Sequence, residues 1–373
     1  MQKSESIIIM IHCEQFTGYA VGVLEHIFFK SALSAGYSEE NIYWSYPIIH
    51  KPAPNIIECK FNNGQNYPEL AEFVRQNNIK QIIAFDMAYP ADILPVLRKA
   101  GIESIISYWG ASMSSLNSGL KLALKKMEWY LRSHKPDFFI FESDAMRRTA
   151  THGRGVPQKN TAVVVLGVDT HKYTPAYQTD TYAHATLGIP TNRKIVFYSG
   201  HMEERKGVRI IMQAALKLAS EHKLANIHFV ICGNKNNEAD TYIAMLENSP
   251  AKEHVTFAGY RNDISALMRS SSIGVIASTG WDSFTMSSVE MMASGLPMIV
   301  SNLQGLGETI EHEVNGYHIT PGDSSGLAEY LVSLTSNAAL ASKFSAASRQ
   351  RAEKLFSQEH QIEKIAQYIA AKK

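Results

Sequence analysis

Two acidic side chains in residues 280–308 have a spacing that could serve chemistry. Asp282 stands in a polar turn, and Glu290 follows eight residues later inside an otherwise apolar helical pattern. The first turn of a helix leaves backbone N–H groups without intrahelical acceptors, which favours a phosphate or a sugar hydroxyl there. A carboxylate one turn further on can accept hydrogen bonds from two ribose hydroxyls. Spacing alone leaves open the alternative that Asp282 caps the turn and Glu290 pairs with a cation.

Two cations follow the first apolar run of the second half. In "YSGHMEERKGV", residues 198–208, Gly200 lets the backbone turn, and Arg205 and Lys206 come after it. Fixed cations and helix amides can stabilise the charge that grows on a diphosphate leaving group, without a metal. The "RKG" segment is also a common surface turn, so it does not assign the chemistry by itself.

Composition sets the class of protein in which these residues act. The chain has 373 residues, with 45% hydrophobic and 19% charged residues and a formal net charge of +1. This length suits two globular domains, and the balanced charge excludes a whole-chain attraction for nucleic acid. Three scattered cysteines without zinc spacing, and the lack of an apolar run of membrane-spanning length, predict a cytoplasmic protein.

Short apolar runs alternate with helical patterns from end to end, as expected for parallel strands covered on both faces. The predicted strands are 7–11, 81–85, 104–108, 138–141, 162–166, 195–199, 227–232, 255–258, 273–277 and 298–301. Residues 167–194, rich in Thr, Tyr and Pro, are predicted to be a linker. Two successive series of this kind predict an α/β protein with two doubly wound Rossmann-like domains facing each other across a cleft. Ligands of such sheets bind beyond the carboxyl ends of the strands.

The second half resembles the family-4 glycosyltransferases, retaining enzymes of GT-B architecture. The resemblance covers about 194–334 and is carried by "YSGHMEERKG", "FVICGN", "VTFAGYRNDI" and "DSFTMSSVEMMASGLPMIVSNLQGLGETIEHEVNGY". The last segment holds the two acids separated by seven residues, with the Gly-Pro and Gly-Glu pairs that follow them in the family. We expect an acceptor-binding domain at 1–172, a donor-binding domain at 173–355, and a C-terminal helix within 356–373 that packs back on the first domain.

The resemblance implies roles for individual residues. Glu290 matches the acid that binds the ribose, Asp282 the acid that faces the donor sugar, and Lys206 the lysine on the diphosphate. Donor contacts are also implied for Phe284, Thr285 and Met286 through their amides, for Gly200 and Gly18, and for Gly259, Tyr260 and Arg261 beside the base. His201 stands where an arginine is usual, so Arg205 is expected to supply that charge. Asp282 in place of Glu and Thr285 in place of Gly leave the donor sugar open.

The implied reaction is transfer of a hexosyl or related group from a nucleotide-diphosphate sugar to an acceptor hydroxyl, with retained configuration. A UDP-sugar is favoured over a GDP-sugar, and the acceptor is a saccharide or a lipid-linked molecule in glycan, polysaccharide or glycolipid biosynthesis. There is no Asp-x-Asp, so no cofactor and no obligatory metal are expected, and "EHE" at 311–313 is interpreted as a solvated helix end. Two alternatives are a nucleotide-sugar epimerase and a non-catalytic sugar-nucleotide-binding module.

The first half offers acceptor-side candidates after its predicted strands. These are Trp109, Gly110, Asp86 and Glu142, and none of them supplies a catalytic histidine. Residues 119–136 carry one apolar and one basic helical stripe. The favoured interpretation is a helix that covers the sheet with its apolar stripe. The alternative is peripheral contact with the inner face of a membrane through the basic face and an exposed tryptophan.

Overall fold

The structure is a computed structural model that describes residues 4–62, 64–176 and 180–372. The chain forms two compact units. Unit 1 comprises the described residues up to Val165 together with those from Gln358 onward, and unit 2 spans Leu166–Ser357. The boundaries therefore lie a few residues from the predicted 172/173 and 355/356, because Val168 pairs with Ser357 inside unit 2. Residues 177–179 of the predicted linker lie outside the described residues.

Each unit is built on a parallel sheet. The strands are β1 (Ser6–Ile11), β2 (Ile42–Tyr46), β3 (Ile56–Glu58), β4 (Ile79–Phe85), β5 (Ser104–Trp109), β6 (Phe138–Phe141), β7 (Thr161–Val163), β8 (Lys194–Ser199), β9 (Ile227–Cys232), β10 (Val255–Gly259), β11 (Ile273–Ile276), β12 (Met298–Ser301) and β13 (Gly316–Ile319). The order is β3-β2-β1-β4-β5-β6-β7 in unit 1 and β10-β9-β8-β11-β12-β13 in unit 2. Both orders reverse direction once, so both sheets are doubly wound, as predicted.

Helices connect the strands of each sheet. They are α1 (Tyr19–Ser34), α2 (Tyr67–Gln76), α3 (Ile93–Ala100), α4 (Gly119–Leu131), α5 (Asp144–Thr151), α6 (Tyr182–Leu187), α7 (Val208–Ser220), α8 (Asp240–Leu246), α9 (Ile264–Arg269), α10 (Met286–Ala293), α11 (Gln304–Gly307), α12 (Ser324–Ser336), α13 (Ala338–Leu355) and α14 (Gln358–Ala370). Several helices are capped at the N-terminus by a polar side chain that accepts a hydrogen bond from a backbone amide of the first turn. These side chains are Ser143, Asp323 and Asn337.

The strand sequences explain where the core lies. Every residue of β1, "SIIIMI", is buried, and so is every residue of β9, "IHFVIC". A strand that is buried along its whole length fits a parallel sheet with helices on both faces. The strands β2, β3 and β13, which lie at or beside the sheet edges, were not among the predicted ones.

The last helix belongs to unit 1, although it follows unit 2 in the chain. The Ser31 hydroxyl of α1 donates to the Ile362 carbonyl of α14 at 3.2 Å, and the Gln81 amide of β4 donates to Ile369 at 3.0 Å. The Gln361 side chain reaches the Tyr108 hydroxyl at 2.9 Å. The chain therefore returns to the first sheet after residue 357.

The predicted packing of α4 is wrong. Its apolar stripe of Leu120, Leu124, Met127 and Leu131 was expected to cover the sheet, but all four side chains are exposed. Trp129, expected at the surface in the membrane interpretation, is buried instead. The helix turns its Trp129 side inward because this large ring fills the space beside Tyr89 and Phe139, with ring centroids 5.0 and 6.0 Å away.

Two smaller expectations also need correction. Residues 311–313 do not end a helix: His312 forms an isolated bridge with Gly316 just before β13, and the three side chains are exposed. Within 4–62, 64–176 and 180–372, no three His, Cys, Asp or Glu side chains converge as metal ligands would.

The segment predicted to be a linker, residues 167–194, contains the helix α6. The Tyr182 hydroxyl of this helix donates to Asp263 at 2.8 Å.

Candidate functional site

The central site of unit 2 lies where its strand order reverses. The strands β8 and β11 are neighbours, so the loops that leave their carboxyl ends meet. This is where doubly wound sheets bind ligands. The Thr279 amide donates to the Arg205 carbonyl at 2.8 Å, which ties the two loops together. Gly207 has φ +77°, and a Cβ there would lie 1.8 Å from the Ala277 carbonyl oxygen, so only glycine permits this approach.

This contact brings Lys206 and Asp282 together. The Lys206 ammonium lies 2.8 Å from Asp282 Oδ1, and the side chains are 15% and 4% exposed. The Ser278 hydroxyl donates to the other carboxylate oxygen at 2.7 Å, and the Asp282 amide donates to Gln304 Oε1 at 3.1 Å. The carboxylate thus accepts hydrogen bonds from Ser278 and Lys206, one on each oxygen, while Gln304 holds the Asp282 backbone.

Arg205 points to other partners. Its Nε lies 2.7 Å from Glu203 Oε2, and a terminal nitrogen donates to the Trp281 carbonyl at 2.7 Å. The guanidinium carbon lies 5.8 Å from the Trp281 ring centroid. The predicted supply of charge by Arg205 is therefore reduced by an acidic neighbour, and its clearest structural role is to join the two loops.

The helix α10 begins one residue later than the sequence predicted. Its first turn consists of Met286, Ser287 and Ser288, and the Ser288 amide donates to the Thr285 carbonyl at 3.0 Å. Phe284 precedes the helix, and its ring packs against Phe356 at 5.2 Å. The predicted amides of Phe284, Thr285 and Met286 therefore lie at the start of the helix or just before it, and the first turn adds the amide of Ser287 as a donor that a ligand could use.

Glu290 is buried in the second turn of α10, as the sequence predicted. It is 4% exposed, and the residues on both sides of it, Val289 and Met291, are fully buried. A carboxylate at such a position requires polar partners. A nucleotide that contacts the Glu290 carboxylate must therefore approach the buried face of α10.

Two further predicted donor residues follow β8. A Cβ on Gly200 would lie 2.7 Å from the Tyr198 hydroxyl, so glycine lets this tyrosine fold over the turn. The hydroxyl donates to the His201 carbonyl at 2.8 Å, which leaves the exposed His201 side chain outside that contact.

The loop after β10 presents an aromatic ring. Gly259 has φ +75°, and its amide donates to Asn234 Oδ1 at 3.0 Å. Tyr260 is 60% exposed, and the Lys235 ammonium lies 4.8 Å from its ring centroid. Arg261 pairs with Asp263 at 2.8 Å, which holds the pKa of Asp263 at about 2. Tyr260 is therefore the member of this loop that is free to stack on a ligand.

Unit 1 has a corresponding site where its own strand order reverses. Ile11 at the end of β1 pairs with Phe85 at the end of β4, so the next residues, His12 and Asp86, are adjacent. His12 Nδ1 lies 3.9 Å from Asp86 Oδ2. The Gly110 amide donates to Asp86 Oδ1 at 3.0 Å. Burial raises the pKa of Asp86 from 3.8 to about 6, and His12 and the Gly110 amide act in the opposite direction.

Glu142 is a buried acid close to Asp86. It is buried, accepts a hydrogen bond from the Tyr108 hydroxyl at 3.3 Å, and has its pKa raised by burial and by the charge of Asp86. A Cβ on Gly110 would lie 3.1 Å from Glu142 Oε1, so the glycine amide, Asp86 and Glu142 are tightly packed. Of the two predicted acceptor-side acids, Asp86 is the accessible one.

The other two predicted residues of unit 1 differ in their positions. The Trp109 indole donates to the Ser107 hydroxyl at 2.8 Å, and the residue is buried at the end of β5; its contact with an acceptor stays a prediction. Gly18 immediately precedes α1 with φ +154°, and its carbonyl accepts the Gly22 amide at 3.0 Å. Gly18 thus lies in the loop after β1, as expected.

Sequence reasoning missed three residues of these sites: His12, Ser278 and Gln304. His12 directly follows a predicted strand, so the rule that ligands lie beyond strand ends could have found it. Ser278 directly follows the predicted strand 273–277, so the same rule could have found it. Gln304 carries no such signal, because its role depends on its side-chain contact with the Asp282 amide.

Solved structures share this architecture over the whole chain. A glycosyltransferase from Rickettsia africae superposes with a TM-score of 0.82 at 17% identity, covering 100% of this chain and 99% of that one. HepE from Anabaena in complex with UDP superposes with a TM-score of 0.79 at 17% identity, covering 98% and 100%. The fold is that of the GT-B glycosyltransferases, which confirms the predicted fold class.

The match to a protein-family model lies within unit 2. Residues 180–351 match the family model described as "Glycosyl transferases group 1". An uncharacterised glycosyltransferase of Methanocaldococcus jannaschii is 24% identical over 242 residues, which are 64% of this chain and 60% of that protein. The chain spans about half to three fifths of the length of the curated relatives that it matches.

Proposed function

We propose that this chain is a retaining glycosyltransferase of family-4 type. It would transfer a hexosyl or related group from a UDP-sugar to the hydroxyl of a saccharide or lipid-linked acceptor, in glycan, polysaccharide or glycolipid biosynthesis. The fold and the match of residues 180–351 support the class of reaction. The choice of UDP is supported by a structural neighbour whose crystal structure contains UDP.

The observation that carries this proposal is the contact of Lys206 with Asp282 at the switch point of unit 2. A cation held by an acid next to the first turn of α10 gives a donor diphosphate both a positive charge and free amides. Charge grows on the diphosphate as the glycosidic bond breaks, and preorganised donors stabilise it without reorganising during the reaction.

The remaining donor contacts are those that the family resemblance implies. Asp282, fixed by Ser278, would face the sugar, and Glu290 would accept hydrogen bonds from the ribose hydroxyls. Tyr260 would stack on the base, because its ring is the exposed one in that loop. The protein would contribute mainly positioning and charge stabilisation, while the leaving diphosphate helps to deprotonate the acceptor on the same face.

On the acceptor side, we propose that Asp86 binds the reacting hydroxyl, with His12 and Gly110 orienting its carboxylate. The pair occupies the strand-end position of unit 1 at which ligands of such sheets bind. Its carboxylate is the accessible one above the buried Glu142.

Ligand binding by the native state raises thermal stability, so a thermal-shift series with UDP, GDP and ADP tests the donor. We expect the largest shift with UDP, and the absence of a shift with every nucleoside diphosphate would contradict the proposal. Repeating the series with EDTA tests the proposed independence of metal. Incubation with a UDP-sugar alone separates the alternatives, since a transferase hydrolyses it slowly, an epimerase interconverts it, and a binding module leaves it intact.

A further inference from the structure

We propose that the exposed face of α4 is a membrane-binding surface that lies in the headgroup region of an anionic bilayer. The outer face is defined as Leu120, Leu124, Met127, Tyr130 and Leu131. This inference concerns unit 1 alone and does not depend on the proposed reaction.

The outer face forms one continuous stripe. At about 100° per residue, its five side chains fall within an arc of roughly 120° on one side of the helix. Leu120 is 78% exposed, Leu131 76% and Tyr130 72%. Leu116, just ahead of the helix, is also exposed. Elsewhere in the described parts of the chain, no helix carries more than one exposed large apolar side chain, and the others lie in loops. A contiguous patch of this kind marks an interaction surface.

The opposite side of α4 already has its own anchor. Trp129 is buried against Tyr89 and Phe139, and the Lys135 ammonium donates to the Trp129 carbonyl at 2.7 Å. The outer face is therefore not needed to hold the helix on unit 1. Five large apolar side chains remain in water unless another surface covers them.

Charge indicates which surface that is. Lys121 and Lys126 are exposed and flank the apolar arc on its two sides. The acid on this helix, Glu128, is neutralised by Lys125 at 2.7 Å and Arg132 at 2.9 Å. Cations on both borders of an apolar stripe complement anionic lipid headgroups. A symmetric contact with a second copy would bring the same lysines towards each other, which disfavours that occupant.

The dimensions fit a helix that lies flat. Thirteen residues extend about 20 Å, less than the ~30 Å of a bilayer core. Among the described residues, no helix is both long enough and apolar enough to cross a membrane. An amphipathic helix with leucines and a tyrosine on one face instead inserts at the boundary between headgroups and acyl chains.

Vesicle flotation of the whole chain tests the proposal. We expect binding to vesicles of phosphatidylcholine with phosphatidylglycerol, and much weaker binding to phosphatidylcholine alone. Leu120→Glu/Leu131→Glu should lower the partition coefficient at least about tenfold, because it puts two charges into the buried face. Lys121→Gln/Lys126→Gln should lower binding about fivefold per lysine, on anionic vesicles only. Ile48→Glu, an exposed apolar residue elsewhere in unit 1, is the matched control and should bind like the wild type.

Two outcomes would overturn the proposal. One is flotation that does not change in Leu120→Glu/Leu131→Glu. The other is a wild-type dimer that dissociates in this variant without vesicle binding by either, which would assign the outer face to a second copy. Thermal unfolding of each variant without ligand reports on the fold of unit 1, in which the substitutions lie, and the UDP-induced shift reports on unit 2. A wild type that floats but does not bind UDP would contradict the proposed reaction and leave the membrane surface intact.

Discussion

The ammonium group of Lys206 lies 2.8 Å from the Asp282 carboxylate, and both side chains are largely shielded from water. A lysine has three N–H donors, so this contact leaves donors for a second anion. Asp282 can therefore hold the ammonium in place while it contacts a diphosphate. Asp282 and Lys206 act together in the proposed mechanism, so the effects of substituting them should not be additive.

The first prediction concerns Asp282→Asn. Removing one partner of a shielded ion pair leaves an uncompensated charge, so we expect the free energy of unfolding without ligand to fall by about 3 kcal/mol. UDP restores a negative partner for Lys206. The rise in melting temperature on adding UDP should therefore be larger in the variant than in the wild type.

Glu353→Gln provides the control, because it removes an ion pair with Arg349 in which the acid is 52% exposed. It should change stability by no more than about 1 kcal/mol and leave the UDP shift unaltered. A UDP shift that is smaller in Asp282→Asn than in the wild type would show that the diphosphate does not approach Lys206.

The sequence predicted the central strands well, and physical reasons explain its errors elsewhere. Strands such as β6, β9 and β12 match the predicted bounds because they are mostly apolar and buried along their whole length. The edge strand β3 is three residues long, and none of its residues is buried, so its sequence lacks the signal of a covered strand. Patterns of apolar side chains indicate strands that are buried, whereas strands at the edge of a sheet are only partly buried.

The sequence indicated candidate site residues, but it did not predict the contacts between them. Lys206 and Asp282 are 76 positions apart, and their meeting depends on β8 lying next to β11, which no local pattern encodes. The error at α4 has the opposite cause. The stripe of Leu120 and Leu124 has helical periodicity, but periodicity does not tell whether the apolar face meets the sheet or another surface.

The second prediction concerns Lys206→Ala. Losing a donor that acts on the leaving group should reduce kcat for hydrolysis of a UDP-sugar by roughly 10²–10³-fold. The single variant also leaves Asp282 without its cation, so KM should rise through repulsion of the diphosphate. In Lys206→Ala/Asp282→Asn, KM should return towards the wild-type value while kcat stays low. Arg209→Ala, in the same region but paired with Glu204, should keep both constants. A double variant with wild-type kcat would refute the leaving-group role.

The third prediction concerns Glu290→Gln. A hydrogen bond to a charged acceptor contributes about 1.5–3 kcal/mol, so calorimetry should show UDP binding weakened roughly ten- to a hundredfold. UDP lacking both ribose hydroxyls makes the test specific. The wild type should lose affinity for this analogue, whereas the variant should bind it about as well as it binds UDP. If a folded variant still distinguished the two ligands like the wild type, Glu290 would not be the ribose acid.

The fourth prediction concerns Tyr260. Stacking of a base on an aromatic ring contributes about 1–3 kcal/mol, so Tyr260→Ala should weaken UDP binding by that amount. Tyr260→Phe keeps the ring and should keep the affinity. The ring is 60% exposed, so neither change is expected to unfold unit 2. Equal affinities of the two variants for UDP would place the base elsewhere.

The last prediction concerns the pH dependence of Asp86. Its pKa is raised from 3.8 to about 6 in the folded chain, so the folded state binds a proton more tightly than the unfolded state does. This carboxyl therefore lowers stability as pH rises through the window from about 4 to 6, by up to about 3 kcal/mol at 1.36 kcal/mol per pH unit. Asp86→Asn keeps an oxygen that can accept the Gly110 amide and removes the charge. The variant should be more stable than the wild type above about pH 6, and the difference should vanish below about pH 4. Thermal unfolding of both proteins across this range measures the difference.

In the same Asp86→Asn variant, transfer to an acceptor should fall while the UDP-induced thermal shift stays unchanged, because Asp86 is proposed to serve only the acceptor side. A stability difference that grows towards low pH would contradict the sign of this linkage, and a loss of UDP binding would contradict the assignment of Asp86 to the acceptor.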